Sequence, residues 1–334
     1  MAATIHDVAR LAGVNSSTVS RVLNGKVTVM EETREKIYAA MRELDYHPNN
    51  LARSLANGQS GAVGVVVDAK DAEAFSNVFF NRSLFAIERV AQERGYNVIL
   101  ANGAKRAGGG VSIEKLILEH KVDGLILPPS TIKPSLLKSI HAFPCVVLGQ
   151  PETAAQELSW VDINNTQGAE LAVKHLKQKG YERIAYLGST ARTGFSKRRI
   201  KGYEQALPEQ ESLLFPTDGT VEHAQQLGME VLAQAERPDA FLCGDNMTAF
   251  GLLKAARACG LQCPRDVGIV TFDNYPLAEF TDPPLTSVDV DTALLGEQAA
   301  RLLFQQIDHH TPNQQIVLGT TLVERISSDR MEGK

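Results

Sequence analysis

Continuous apolar runs separated by helix-like stretches constrain how most of this chain can fold. The first run, Ala62-Val-Gly-Val-Val-Val67, is apolar at every position, and a helix-like stretch from Phe79 to Arg94 follows it. Strands without polar alternation are typical of parallel sheets that are covered by helices on both faces. The alternation continues from Gly61 almost to the end of the 334-residue chain. That length is large for one sheet, so we predict a body of two α/β lobes.

The same pattern predicts where the other elements of the body lie. Further strands are expected at 97–101, 123–127, 145–148, 184–187, 240–243 and 267–272. Helices are expected at 113–120, 133–141, 166–179, 196–207, 222–235, 246–259 and 292–307.

Residues 1–47 carry no strand signal and predict three short helices, at about 5–12, 16–23 and 31–44. In the first two, Ala9 is the small residue needed where the helices cross, and Gly13 suits a turn with positive φ. Apolar residues are spaced to pack these helices together, namely Val8, Ala12, Val14, Val19 and Val22. This combination predicts a helix-turn-helix head that binds DNA.

Capping residues support the predicted helix starts. Thr4 and Asp7 have the spacing of a capping box, and Asn15 can cap the second helix at Thr18. The third helix is preceded by Met30, which offers no capping side chain, so Glu31 and its neighbour complement only the helix dipole.

Polar residues at the leading edge of the second helix are the candidate base readers. Ser16, Ser17 and Arg21 can reach base edges in the major groove, and an arginine at such a position favours guanine. Contacts to the phosphate backbone are predicted for Thr4, Asn24, Lys26 and Tyr46.

The segment 48–58 joins the head to the body. Its residues Leu51, Ala52, Leu55 and Ala56 have helical spacing over about two turns, and so short a helix is marginal in water. Two interpretations follow, a helix that folds only on binding and a flexible linker whose periodicity is accidental.

The chain resembles the lac repressor/galactose repressor (LacI/GalR) family of bacterial transcriptional regulators. In the head and linker, residues 3–25, 32–36 and 46–55 carry the resemblance. In the body, similar strings occur at 123–127, 168–176, 183–188, 199–203, 264–274, 284–288 and 322–325. The resemblance therefore covers nearly the whole chain.

The resemblance implies a domain organisation. It predicts a small all-α helix-turn-helix head at 1–47, a hinge helix at 48–58 and an effector-binding and dimerisation domain at 59–334. The body is expected to be an α/β, two-lobed, periplasmic-binding-protein-like fold with parallel sheets and crossing strands near 160, 289 and 319. The first lobe takes about 61–160 and 290–319, and the second takes about 161–289 and 320–330.

In the family, two hinge helices lie side by side in the minor groove, and a leucine from each is wedged into the central base step. That leucine corresponds to Leu55, and the other minor-groove candidates are Asn49, Leu51, Ala52 and Ala56. Such an arrangement requires a homodimer on pseudo-palindromic double-stranded operator DNA. Because no heptad tail follows Arg325, tetramers are not expected.

The resemblance also assigns an effector site in the interlobe cleft, at the carboxyl ends of the strands. It nominates Phe79, Phe80, Arg199 and Asp273. Taken alone, Arg199 fits a solvated charged face better than a ligand contact, and Asp273 fits a loop turn or helix cap equally well. Where the family usually has Asn-Asp, this chain has Asp245-Asn246, so Asp245 falls at a ligand-contacting position. A carboxylate accepts but cannot donate hydrogen bonds, which favours hydroxyl-bearing ligands.

The predicted effector is a neutral sugar or polyol, followed by a sugar phosphate and then a nucleoside or purine. Lys197 and the two arginines after it are the feature that favours a phosphate. We expect a repressor of a carbohydrate-utilisation operon that an inducer releases from its operator by an allosteric change. A corepressor-dependent regulator that responds to a purine or nucleoside is the alternative.

Two other classes of protein fit the sequence less well. An α/β enzyme would be expected to carry a nucleotide-binding glycine loop or a nucleophile elbow, and none is found. A transport binding protein would not need the DNA-binding head. No cofactor and no metal site are predicted, since the adjacent His309 and His310 have no spaced partners.

Composition places the charge in the body. The net charge is −5, yet residues 1–58 hold seven Lys and Arg against six Asp and Glu, a net of +1. The four cysteines are expected to be buried small apolar residues. With neither a signal peptide nor an apolar span in the sequence, we expect a cytoplasmic, nucleoid-associated protein that does not enter a membrane.

Overall fold

A computed structural model of the chain describes residues 3–23, 29–46, 58–67, 78–103, 113–189 and 194–330. The chain forms two compact units, Met1–Gly61 and Ala62–Lys334.

The first unit, the head, contains the helices α1 (Ile5–Ala12), α2 (Ser16–Leu23) and α3 (Glu31–Glu43), which confirms the three predicted helices. Gly13 ends α1 with φ +66°, as its predicted turn requires. The buried core of the head consists of Val8, Ala9, Val19, Val22, Ile37 and Ala40. Ala12 and Val14 are half-buried against it.

Hydrogen bonds at the helix starts agree with most of the capping predictions. The capping box is confirmed, because Thr4 accepts from the backbone of Asp7 and Asp7 accepts from the backbone of Thr4. At the start of α2, the Thr18 N–H donates to the backbone carbonyl of Asn15 at 2.8 Å, and a cap by the Asn15 side chain stays a prediction. Met30 precedes α3 without a side-chain cap, as expected.

The described residues of the second unit, the body, form two sheets. Its strands are β1 (Ala62–Val67), β2 (Asn97–Asn102), β3 (Gly124–Leu127), β4 (Cys145–Leu148), β5 (Ser159–Ile163), β6 (Ile184–Gly188), β7 (Leu214–Pro216), β8 (Ala240–Cys243), β9 (Gly268–Phe272), β10 (Thr286–Asp289), β11 (Gln315–Leu318) and β12 (Thr321–Val323). The first sheet has the order β11-β5-β4-β3-β1-β2 and the second the order β12-β10-β9-β8-β6-β7. Every neighbouring pair is parallel except β10 and β12.

Helices cover these sheets, as the predicted α/β class requires. They are α4 (Val78–Glu93), α5 (Ile113–Leu118), α6 (Pro134–Ile140), α7 (Asn165–Gln178), α8 (Gly194–Ala206), α9 (Val221–Leu232), α10 (Asn246–Ala258), α11 (Pro276–Glu279) and α12 (Thr292–His309). In the first lobe, α12 packs against α4 and the sheet. In the second, α7 and α8 pack on one side of the sheet and α9 and α10 pack on the other.

The chain passes between the two sheets after β5, after β10 and after β11. These passages lie near the three crossings that the resemblance implied. Each lobe is therefore assembled from segments that are far apart in the sequence.

The strands that the apolar pattern missed are β5, β7, β10, β11 and β12. Both β5 and β10 bury polar residues whose partners come from distant segments. Gln306, for example, donates to Ser159 Oγ at 2.6 Å, and the Thr286 hydroxyl donates to the Arg325 carbonyl at 2.9 Å. A pattern that scores only apolar residues cannot find such strands.

Cys145 and Cys243 are buried, and Cys263 is half-buried. The prediction is wrong for Cys259, which is exposed because it directly follows the last residue of α10. No helix within the described ranges is long and apolar enough to cross a membrane.

Candidate functional site

The candidate base readers of the head lie on α2. Ser17 and Arg21 are exposed, and because they are four residues apart they share one side of the helix. Ser16 is half-buried. Val19 and Val22 on the other side of α2 are buried in the core of the head, which fixes the side that α2 presents to solvent.

The other DNA-contact candidates are only partly described. Thr4 is exposed at the start of α1, where its side chain also serves the capping box. Tyr46 is half-buried against the core of the head. Asn24, Lys26 and the hinge residues Asn49, Leu51, Ala52, Leu55 and Ala56 lie outside the described residues.

In the second lobe, β6, β8 and β9 are adjacent and parallel, so their carboxyl ends meet at one edge of the sheet. Gly188 and Gly244 face each other there. A Cβ atom at Gly244 would lie 2.8 Å from the Tyr186 hydroxyl and 3.2 Å from the Cα atom of Gly188, so the close approach requires glycine. Burial raises the pKa of Tyr186 to about 12.

Arg199 extends from α8 into this edge and is only 6% exposed. Its Nε donates to Asn165 Oδ1 at 2.9 Å, and its Nη1 donates to the Gly244 carbonyl. The guanidinium carbon lies 3.8 Å from the centroid of the Phe272 ring and 5.1 Å from that of Phe195. The solvated-face interpretation of Arg199 is therefore wrong.

Asp273 directly follows β9 and adopts a left-handed conformation, with φ +67°. It is 8% exposed, and its Oδ1 atom is buried without a hydrogen-bond partner. Arg199 Nη2 is 3.9 Å from that oxygen. Burial raises the pKa of Asp273, the charge of Arg199 opposes this shift, and the charge of Asp245 adds to it.

Asp245 and Asn246 follow β8. Asp245 is half-buried and caps α10, because its Oδ1 accepts from the Thr248 N–H at 2.8 Å. Asn246 is 1% exposed, and its Nδ2 donates to the backbone carbonyls of Asp273 and Phe272 at 2.6 and 3.1 Å. Asp245 therefore caps α10, and Asn246 connects the start of α10 to the end of β9.

The successive cations at the start of α8 point to different partners. Lys197 Nζ lies 3.3 Å from Glu152 Oε2, and Arg198 Nη2 lies 3.0 Å from Asp162 Oδ2. Glu152 belongs to the first lobe, and so does Asp162, because β5 continues the first sheet to Ile163, beyond the predicted lobe boundary at about 160. These two cations therefore connect the lobes. Arg199 alone turns toward the carboxyl ends of the second sheet.

The structure thus brings Arg199, Asp245 and Asp273 together, as the effector-site prediction requires. Phe80 lies in the first lobe, where it is half-buried against the core. Phe79 lies in α4, and its side chain is outside the described residues.

Sequence reasoning missed Asn165, Tyr186 and Asn246 as site residues. Asn246 carried a usable signal, because it is a polar residue just after a strand. Asn165 follows β5, which the apolar pattern did not find, and Tyr186 lies inside an apolar strand. Nothing in the sequence singles out that tyrosine.

Comparisons with known proteins agree with this architecture. Residues 4–49 match the model described as bacterial regulatory proteins, lacI family, and residues 173–328 match that of the periplasmic binding protein-like domain. The HTH-type transcriptional repressor PurR of Vibrio atlanticus (strain LGP32) is 31% identical over 313 residues, which cover 91% of this chain and 92% of that protein.

Two solved structures are similar over nearly their whole length. A complex of the transcriptional regulator CelR with cellobiose has a TM-score of 0.72 at 31% identity and covers 97% of this chain and 99% of that one. The lac repressor dimer bound to operator and the anti-inducer ONPF has a TM-score of 0.83 at 26% identity, with coverages of 98% and 99%.

A helix-turn-helix head joined to a periplasmic-binding-like body of two parallel-sheet lobes defines a DNA-binding transcriptional regulator. The chain belongs to the lacI family of bacterial regulatory proteins.

Proposed function

We propose that the protein represses a carbohydrate-utilisation operon and that a neutral sugar or polyol releases it from the operator by binding between the lobes. The observation that carries this proposal is that Arg199 and Asp273 lie close together without a hydrogen bond between them, with Nη2 and Oδ1 3.9 Å apart. A hydroxyl group can accept from Arg199 Nη2 and donate to Asp273 Oδ1, the buried acceptor that has no partner. Vicinal hydroxyls on a sugar or polyol supply this chemistry repeatedly.

The charges of the site favour a neutral ligand over a phosphate. Asp273 and Asp245 are both acidic, and a nearby phosphate would be repelled by their carboxylates. Lys197 and Arg198, which the sequence offered as phosphate ligands, are already paired with Glu152 and Asp162. The similar CelR structure contains cellobiose, which supports a sugar for this chain as well.

On the DNA side, Ser16, Ser17 and Arg21 contact bases in the major groove, with Thr4, Asn24, Lys26 and Tyr46 on the phosphate backbone. The hinge at 48–58 inserts Leu55 into the minor groove, with Asn49, Leu51, Ala52 and Ala56 around it. Head, hinge and body are assigned to 1–47, 48–58 and 59–334. Binding at operators would place the protein on the nucleoid.

The acting form is a homodimer. Large apolar side chains support this assignment because they are exposed on the body, as in Phe85 (72%), Phe280 (79%) and Leu277 (60%). The similar lac repressor structure is a dimer on its operator. A monomeric mass in sedimentation at micromolar concentration would contradict the assignment.

Effector binding changes the angle between the lobes and separates the two hinges, which weakens operator binding. A typical allosteric coupling of about 1–3 kcal/mol corresponds to a loss of about 5–150-fold in affinity. Because the coupling is reciprocal, operator DNA must weaken effector binding by the same factor.

The test uses the full chain and an operator selected from a random duplex pool. Cellobiose, D-glucose, D-ribose, glucose 6-phosphate and adenosine are each titrated while the melting temperature and operator affinity are measured. A neutral sugar should raise the melting temperature and release the operator. Stabilisation by glucose 6-phosphate alone would refute the neutral ligand, and tighter operator binding with adenosine would establish the corepressor alternative.

A further inference from the structure

Arg199 and Asp273 are an oppositely charged, buried pair that does not close. Charge-assisted hydrogen bonds between such groups normally have lengths of about 2.7–2.9 Å. Here Nη2 and Oδ1 are 3.9 Å apart, and Oδ1 has no hydrogen-bond partner at all. Since attraction in a buried site draws the two groups together, other contacts must hold them apart.

Asn165 holds the arginine. It is the first residue of α7 and is 1% exposed. Its Nδ2 donates to the Ile163 carbonyl at 3.3 Å and lies 3.4 Å from Asp162 Oδ1, so Oδ1 is the atom that accepts from Arg199 Nε. Together with the Gly244 carbonyl and the Phe272 ring, this contact fixes the plane of the guanidinium.

Asn246 holds the aspartate. Its Nδ2 donates to two consecutive carbonyls, those of Phe272 and Asp273. Asp273 is in the left-handed region, which non-glycine residues rarely adopt. One hydrogen bond goes to the carbonyl that precedes Asp273 and the other to its own carbonyl, so together they maintain its backbone conformation. That conformation in turn sets the direction of the carboxylate.

We propose that Asn165 and Asn246 are positioning residues that hold Arg199 and Asp273 apart, so that the buried pair stays open for a ligand hydroxyl. The nature of that ligand rests on the proposed function, whereas the geometry does not. A carboxylate at 246 would face two carbonyl oxygens with no hydrogen to donate.

Asn246→Asp tests the proposal, because it removes the donor while it keeps the shape of the side chain. The probe is the sugar of the panel that binds the wild-type full chain, titrated by calorimetry beside its monodeoxy analogues. We expect the parent sugar to bind about tenfold or more weakly, because closure of the Arg199–Asp273 pair would remove the hydrogen bond between a sugar hydroxyl and the Asp273 carboxylate. The preference for the parent sugar over its deoxy analogues should also shrink, which a general loss of structure would not explain.

Asn164→Asp is the matched control. Asn164 precedes Asn165, and its side chain accepts from the Gln167 N–H as the cap of α7, a role that aspartate also fills. The same chemical change at this position should leave the affinity within about twofold of wild type, since no hydrogen bond is lost. An equal loss in both variants would overturn the proposal.

Crystal structures without ligand provide a second and independent measurement. In Asn246→Asp the Nη2–Oδ1 distance should shorten from 3.9 Å to about 2.8 Å as the pair closes. An unchanged distance would overturn the proposal even if affinity fell. Asn165→Ala, which frees the arginine instead, makes the same prediction and replaces Asn246→Asp if that variant does not fold. If no sugar binds the wild type, the proposed function fails, while the distance still decides the role of the asparagines.

Discussion

The head and the second lobe place their candidate functional side chains in opposite environments. In the head, Ser17 and Arg21 are exposed on one helix, within a few residues of each other. In the second lobe, Arg199 and Asp273 are buried and come from different elements, and their neighbours Asn165 and Asn246 come from two more. The head therefore needs only a correctly packed helix to present its chemistry, whereas the lobe needs its whole fold.

The difference has an energetic consequence. An exposed side chain can be substituted at little cost in stability, because water solvates it in both the folded and the unfolded protein. Asp273 keeps one buried carboxylate oxygen without a hydrogen bond, which lowers the stability of the lobe. Substitutions in the two regions should therefore affect stability and function in different proportions.

The largest effect is expected from Ile37→Asp, which places a carboxylate in the core of the head. Ile37 is 0% exposed, and an unpaired buried charge costs about 4 kcal/mol or more, which is comparable to the whole stability of a small domain. Operator binding should fall beyond detection. The single tryptophan, Trp160, lies in the body, so its fluorescence melt should stay at the wild-type temperature. The exposed Ala39→Asp in α3 is the control for a folded head, and a Trp160 melt that moved with Ile37→Asp would show that the two units are not independent.

Asp273→Asn should separate function from stability in the lobe. Ligand affinity should fall about 10–100-fold, because a charged acceptor is lost. At pH 7 the melting temperature should rise by a few degrees, since burial raises the pKa of Asp273 and its ionised form destabilises the fold.

The stability difference between Asp273→Asn and wild type should depend on pH. The pKa of Asp273 is raised in the folded protein above its ordinary value of 3.8. Wild type therefore loses stability as the pH rises from about 3.8 to the pKa of the folded state. The advantage of the variant should therefore shrink as the pH falls toward 4 and grow as it rises. A variant that is less stable than wild type at pH 7 would mean that the charge of Arg199 outweighs burial.

Arg21→Ala should change recognition without changing the fold. Loss of a bidentate arginine contact costs about 1–3 kcal/mol and relaxes the preference at one base pair. Selection from a random duplex pool measures this directly, and the head should keep its helical circular dichroism signal. A uniform loss over all sequences would assign Arg21 to the phosphate backbone instead.

Met30→Thr should give the smallest effect, a gain in the stability of the head of up to about 1 kcal/mol. Met30 precedes α3 with an extended conformation and no side-chain cap, so a threonine hydroxyl can supply the missing acceptor. Hydrogen exchange of the α3 amides measures the gain. No change in exchange would mean that water already satisfies the free N–H groups of α3.

The head and the body also differ in how much of their structure follows from local sequence. The three helices of the head, its capping box and its glycine turn were predicted from local spacing, because each depends on neighbours within one or two helical turns. In the body, the apolar strands were found, but β5 and β10 were missed since their buried polar residues are paired with segments far along the chain.

For the effector site, the resemblance supplied the charged residues but not their arrangement. Lys197, Arg198 and Arg199 look alike in the sequence, yet two of them pair with carboxylates of the first lobe and only the third enters the site. The partner of each side chain at the start of α8 depends on the segments that pack around that helix. The local sequence pattern contains no information about those segments.

By itself the sequence determined the class of the body, the helices of the head and the location of the charge, which is −5 overall and +1 in residues 1–58. Periodicity and capping act over short distances, so these features can be predicted from neighbouring residues. Only the tertiary structure decided that Arg199 is buried against Asn165, that Asp273 keeps a free oxygen and that Asn246 bonds the backbone on both sides of Asp273. Burial and hydrogen-bond partners depend on strands brought together from distant parts of the chain, so the local sequence cannot predict the geometry of the proposed binding site.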